Sequence, residues 1–204
     1  MEQRPVSEAR QSATVALMDA AEHLLYEVGY AGITTRNVAE TAGLNHGLVH
    51  YYFGSMDELL TQTLERFVEQ LAQALEALYA DPTLNFADKW RLGSQFWVTE
   101  PTSRFPKILM ELLAMGWNMP NLRIRLTDVH ARFRVIFEHY FGEAMREYGL
   151  NENEFPLKVI VAAVTSFQLG LIVEGLSGVY EGHDELLAWI QRWVDSLEAN
   201  KPTR

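Results

Sequence analysis

The segment Asn45-His46-Gly47-Leu48-Val49-His50-Tyr51-Tyr52 carries more hydrogen-bonding rings than a solvated helix face ordinarily does. Histidine and tyrosine can donate to base acceptors and phosphate oxygens, Leu48 can meet a thymine methyl, and Gly47 lets a backbone come close. About ten residues upstream, Thr34, Thr35 and Arg36 add two hydroxyls and a guanidinium whose planar fork suits guanine or phosphate. At helical spacing Leu44, Val49 and Phe53 fall on an inward side. His46, Gly47, Leu48, His50 and Tyr51 fall between those anchors and should face outward. Thr34 is most simply a helix cap, which is compatible with anion contact, and Tyr52 serves equally well as core anchor or phosphate donor.

These side chains need elements to hold them. Leu17, Ala20, Ala21, Leu24, Leu25 and Val28 recur at helical spacing, and Gly29 closes that helix. Thr34 or Thr35 opens a short helix carrying Val38 and Ala39, Gly43 breaks it, and Asn45 caps the next. Ser55 to Glu58 form a capping box that starts a long helix running through Leu75, which Asp81-Pro82 ends. Further helices are expected over 90–98, 105–117, 122–148, 157–176 and 186–197, with Pro101, Pro106, Pro120 and Pro156 at the seams. No window alternates with period two between hairpin turns, so the fold class is all-α. A three-helix unit over residues 1–54 feeds a helical bundle over residues 55–204.

Thr14 to Leu60, TVALMDAAEHLLYEVGYAGITTRNVAETAGLNHGLVHYYFGSMDELL, closely resembles the N-terminal domain of the TetR family. The likeness rests on the Ala20-Ala21 helix, Gly29-Tyr30, Thr34-Thr35, Ala42-Gly43-Leu44, the run Tyr51-Tyr52-Phe53, and Leu59-Leu60. It implies a helix-turn-helix whose helix from about His46 to Tyr52 lies in the major groove of double-stranded DNA. It also implies a homodimer on a palindromic operator, and a C-terminal bundle that dimerises and takes a small-molecule effector. Repression relieved by that effector is the family's usual mode. One departure stands out: the family often has a lysine at the start of the fourth helix, and here that residue is Met56.

Charge limits how such DNA contact can work. The chain has 204 residues and a formal net charge of -10, which argues against a general nucleic-acid coat. Within residues 1–55 the bases are Arg4, Arg10 and Arg36 and the acids Glu2, Glu8, Asp19, Glu22, Glu27 and Glu40, three against six. Nonspecific binding should be weak and its salt dependence shallow, below about six in slope per dimer. Because histidine gains charge as pH falls through roughly 6.5, His46 and His50 should strengthen DNA affinity on acidification.

In the second half, Trp90, Phe96, Trp97, Met110 and Trp117 with Phe133, Phe137 and Phe167 make an aromatic-rich stretch, mostly core. Gln95, Glu111, His130 and Gln168 lie among them as candidates to orient an effector. Residues 157–176 are apolar nearly all round, and Leu186, Leu187, Ile190, Trp193, Val194 and Leu197 form a broad stripe. By resemblance these two helices pair with their twofold mates, with Val161, Phe167, Leu171, Leu187, Ile190, Trp193, Val194 and Leu197 at the interface.

Several classes are set aside. The absence of cysteine removes disulfides, thiolate metal sites and cysteine nucleophiles, and fits a cytoplasmic home. Met1 to Ser12 do not form a basic-then-apolar leader, and the apolar run 159–173 is shorter than the roughly 20 residues a bilayer needs, so no membrane is expected. There is no His-Glu-x-x-His, no Gly-rich phosphate loop and no Gly-x-Ser-x-Gly, so no enzyme, metal or cofactor is expected. His183-Asp184-Glu185 is better explained by the helix dipole than by metal. The remaining rival is a dimeric helical small-ligand-binding protein whose DNA-binding motif is degenerate.

Overall fold

The computed structural model describes residues 6–95 and 104–202, with nine α-helices, one 3₁₀ turn and no strand among them. They are α1 (Val6–Val28), a 3₁₀ turn (Tyr30–Gly32), α2 (Thr35–Thr41), α3 (Gly47–Phe53), α4 (Met56–Ala80), α5 (Phe86–Gln95), α6 (Arg104–Asn118), α7 (Pro120–Glu147), α8 (Leu157–Leu176) and α9 (His183–Ala199). The all-α expectation holds, and α8 begins and ends where the apolar run does. Helix α5 starts four residues before Trp90 because Asn85 caps it, its Oδ1 accepting from the Asp88 amide at 2.8 Å. The expected continuation to residue 98 lies outside the described residues.

Contacts divide the chain into two compact units. One comprises residues 1–69 with 107–127, the other residues 70–106 with 128–204. In the first, Leu17, Ala21 and Leu25 of α1, Val38 and Ala39 of α2, Val49 and Phe53 of α3, and Leu59, Leu60 and Leu64 of α4 are all buried. Arg66 on α4 bonds Asp19 at 2.7 Å and Glu22 at 3.1 Å on α1. Helix α4 starts as read from Ser55, whose Oγ accepts from the Glu58 amide at 3.1 Å. Only half of the expected reciprocal box forms, since the Glu58 carboxylate accepts instead from Gln62 at 2.8 Å.

Helix α6 belongs to this first unit because it grips the end of α1. Glu111 Oε2 accepts the Tyr30 backbone N–H at 2.8 Å, and four residues earlier Lys107 Nζ sits 5.0 Å from the Tyr26 ring centroid. Gly29 makes the grip possible. It is buried with φ of 69°, and a Cβ there would lie 2.8 Å from Glu111 Oε1.

The second unit is built on Leu75 and Tyr79 of α4, Trp90 of α5, Phe137 and Phe141 of α7, Val161 of α8 and Val194 of α9. Tyr79 is the hub: its ring stacks on Tyr140 at 5.6 Å and meets Phe137 edge-on at 6.1 Å. Burial raises its phenol pKa well above the usual range, so it stays neutral. Helix α8 has 20 residues, long and apolar enough by length and composition to cross a membrane, which corrects the shorter run read from residues 159–173. Val161, Gln168, Leu171 and Ile172 bury one of its faces.

Gly29→Ala should lower stability by about 1–3 kcal/mol, through unfavourable positive φ and collision with Glu111. Urea unfolding checks this; an unchanged midpoint would mean that the Glu111 grip imposes no constraint there.

Candidate nucleic-acid interface

Seven residues are too few for a helix to persist alone, so α2 and α3 depend on caps and on their packing partners. Helix α2 has both. Thr34 accepts the Asn37 amide at 3.2 Å while Asn37 Oδ1 accepts the Thr34 amide at 2.8 Å, and Asn37 Nδ2 donates to the Gly32 carbonyl at 2.8 Å. Asn37 was not singled out from sequence, because asparagine can replace the usual Glu or Gln of a reciprocal cap only when the turn is this tight. Gly43, at φ 67°, lets the chain reverse so that the Leu44 amide reaches the Ala39 carbonyl at 2.8 Å. Asn45 then accepts the Gly47 amide at 2.9 Å; the cap residue proper is His46, whose side chain makes no cap bond.

On α3, Val49 and Phe53 point into the unit while Asn45, His46, Gly47, His50 and Tyr51 are exposed, Tyr51 by 75%. Leu48, Tyr52 and the expected core residue Leu44 are half-buried. Half-burial favours neither alternative for Tyr52, whose ring meets Tyr51 edge-on at 4.9 Å. The outer face thus carries two imidazoles and one and a half phenols on a helix held from behind by two apolar anchors.

Local bonds narrow what each group can do. His50 Nδ1 lies 3.1 Å from the Gly54 carbonyl, which can only accept, so Nδ1 carries the proton and Nε2 is the nitrogen left for an outside partner. Neutral His50 can therefore accept there; protonated, it donates. Arg36, read as the strongest base or phosphate fork, donates its Nε to Glu40 at 2.9 Å within α2. The pair is highly exposed, and such a pair contributes only a few tenths of a kcal/mol, so a phosphate could compete for the guanidinium. Thr34 and Thr35 stand at the start of α2, Thr34 exposed and Thr35 half-buried.

The residues proposed for an effector do not gather in one place. Phe137 is core at 1% exposure, Trp117 is 88% exposed, and Glu111 is committed to Tyr30. Gln95 and His130 are exposed, with burial of the ring first and Arg134 second lowering the His130 pKa. Met110, Phe133 and Phe167 are half-buried and Gln168 is buried, while Phe96 and Trp97 lie outside the described residues. Among the described residues of this set, only Trp90 walls the apolar hollow that the second unit contains. Helical spacing identifies a stripe but not which neighbour covers it, and most of these rings are covered by the chain itself.

The same limit corrects the interface residues. Val161, Leu171 and Val194 are buried within the chain and have no surface left to offer, and Phe167, Leu187, Ile190 and Leu197 are half-buried. Trp193 remains exposed. Apart from Trp193, the outward apolar residues are others than those expected: Val159, Ala163, Gly170 and Val173 on α8, and Leu186 and Trp189 on α9. Among the described residues no cluster of three or more His, Cys, Asp or Glu could hold a metal, and His183 instead bonds Glu174 at 2.7 Å.

Comparison with known proteins places this geometry in context. Residues 17–63 match the family described as bacterial regulatory proteins, tetR family. The HTH-type transcriptional regulator BetI of Paraburkholderia phytofirmans is 36% identical over 77 residues, covering 36% of this chain and 40% of that protein. BetI of Paraburkholderia xenovorans is 35% identical over 127 residues, 60% of this chain and 64% of that protein. The HTH-type transcriptional repressor Rv3405c of Mycobacterium tuberculosis is 30% identical over 76 residues, 37% of this chain and 40% of that protein. The chain thus spans less than two thirds of the length of these curated relatives. Among solved structures, a TetR transcription regulator from Haloarcula marismortui superposes with a TM-score of 0.68 at 16% identity, over 94% of this chain and 98% of that one. A transcriptional regulator from Rhodococcus sp. Rha1 gives 0.69 at 18% identity over 90% and 92%. At such identities the likeness is one of fold.

The two sides of α3 should separate in a stability measurement. Tyr51→Ala is expected to change unfolding free energy by no more than about 0.5 kcal/mol, and Phe53→Ala to cost about 3 kcal/mol or more. A large loss for Tyr51→Ala would mean that this ring helps hold the unit together.

Proposed function

We propose that the chain, whose residues 17–63 match the tetR family of bacterial regulatory proteins, is a sequence-specific DNA-binding transcriptional regulator, a repressor released by a small-molecule effector. The observation that carries this reading is the two-sidedness of α3, with Val49 and Phe53 inside and His46, His50 and Tyr51 outside. Residues 1–54 form the reading piece and residues 55–204 the effector-binding and dimerising piece. In this reading α3 enters the major groove of double-stranded DNA, His50 Nε2 and the Tyr51 hydroxyl address base edges or phosphates, and Thr34, Thr35 and Arg36 fix the backbone. Asn45, Gly47, Leu48 and Tyr52 complete the contact set. A chain that works on the chromosome works in the cytoplasm.

A palindromic operator calls for a twofold pair of reading helices with half-sites about 34 to 36 Å apart or a multiple. The outward face of α8 and α9 supports that pairing, because Val159, Val173, Trp189 and Trp193 leave apolar surface on adjacent helices that water does not favour. The partner is a second copy of the chain, and an isologous contact puts the same stripe on both sides. Trp189→Glu should therefore shift the sedimentation of the purified chain from dimer to monomer. Dimerisation unaffected by that change would place the contact elsewhere.

Footprinting on the DNA flanking the gene tests the whole reading. The expected result is protection of an inverted repeat, with Arg36→Ala and Tyr51→Ala each weakening binding by about tenfold or more, a loss of roughly 1.4 kcal/mol. Glu40→Gln should strengthen it, since it frees Arg36 and removes one acid from the reading piece. A chain that binds no duplex even at low salt would leave the ligand-binding protein with a degenerate DNA motif as the better account.

A further inference from the structure

Inside the second unit α5, α7, α8 and α9 surround a hollow of about 90 Å³, part of it open to solvent. Its walls include the rings of Phe86, Trp90, Phe141, Tyr148 and Trp193, closed by Ile160 and Val164, and among the described residues no polar atom faces into it. Packed interiors leave few voids larger than a water molecule, and this one is several times that size, though smaller than a drug-sized pocket. The polar tip of the one hydroxylated wall is already spent: Tyr148 Oη donates to Glu198 Oε2 at 2.6 Å. Burial and that carboxylate both push the phenol pKa far up, so Tyr148 brings no charge.

We propose that this hollow is a binding site for an uncharged, apolar small molecule. Water against these walls finds no hydrogen-bond partner on them, so an apolar guest that displaces it gains from burial against the rings. An ion loses its hydration and meets nothing in return. Rings can attract a cation across their faces, but no carboxylate faces this space, and Glu198 is held by Tyr148. The site differs from the one sequence favoured, because Gln95, Glu111, His130 and Gln168 are not among its walls. Nor does any described residue of α4 or α6 line it, so a guest bears first on how α5, α7, α8 and α9 pack together. That the guest acts as effector rests on the regulator reading above; that it binds does not.

Calorimetric titration of the full chain, without DNA, decides the matter with three probes of similar size: 1-naphthol, 1-naphthoate and benzyltrimethylammonium. Saturable binding of 1-naphthol at one per chain is expected, at least about tenfold tighter than either ion. Val164→Trp, which fills the hollow, should weaken 1-naphthol at least about tenfold. Should that variant not fold, Ala144→Leu is the gentler filler, while Gln168→Ala should leave binding unchanged. No saturable binding, an ion binding as tightly as 1-naphthol, or a folded filler with unchanged affinity would each overturn the proposal. Because no duplex takes part, a chain that takes 1-naphthol but protects no DNA defeats the regulator reading alone, and the converse result defeats this one alone.

Discussion

Two helices of seven residues each carry the candidate interface, and neither could stand by its own hydrogen bonds. Everything about the outer face of α3 therefore depends on what holds its inner face. Val49 and Phe53 fix its rotation, the Gly43 turn fixes where it starts relative to α2, and the Thr34-Asn37 box fixes where α2 begins. A slip of one residue in α3 would turn His50 or Tyr51 by about 100° and bring an anchor to the surface. Apolar burial, not the rings themselves, determines which groups a duplex would meet.

The electrostatics of the reading piece follow a similar logic of restraint. With three basic side chains against six acids through residue 55, long-range attraction cannot do the positioning. His50 is held by the Gly54 carbonyl, so it arrives at a duplex already oriented, with one bond made inside the protein. Such groups lose less freedom on contact than free side chains would, which offsets part of what a basic surface would otherwise contribute. Helix α6 adds a constraint from outside the three-helix unit, since the Glu111 carboxylate occupies the space over Gly29 that any other residue would need.

Legibility in the sequence tracked the length scale of the interaction. Helix existence, the Gly29 and Gly43 breaks and the inward and outward sides of α3 depend on residues a few positions apart, and those were readable from Leu17 to Phe53. The Thr34 cap was readable, but its partner Asn37 was not, because its two bonds close only in the folded turn. Contacts between distant segments were not readable at all. Glu111 looked like a polar group among rings and is in fact bonded 81 residues away. Trp117 and Phe137 looked alike in type and neighbourhood, yet one is 88% exposed and the other 1%. On α8 and α9, spacing located an apolar helix, but with nearly every face apolar it could not tell the face covered by the chain from the face left over.

That ambiguity on α9 is also its physical interest. One helix of 17 residues divides its surface three ways: Val194 packs into the core, Ile190 and Leu197 wall the hollow, and Leu186 and Trp189 face out. Trp193 belongs to two of these sets, lining the hollow while remaining 42% exposed. A side chain shared in this way cannot move in response to one surface without changing the other, because packed groups shift between discrete arrangements and do not deform continuously. A guest in the hollow and a second chain on the outer stripe would therefore compete for, or agree on, the position of the same indole. Coupling between them requires no long pathway, only that the two occupants favour the same or different rotamers of Trp193.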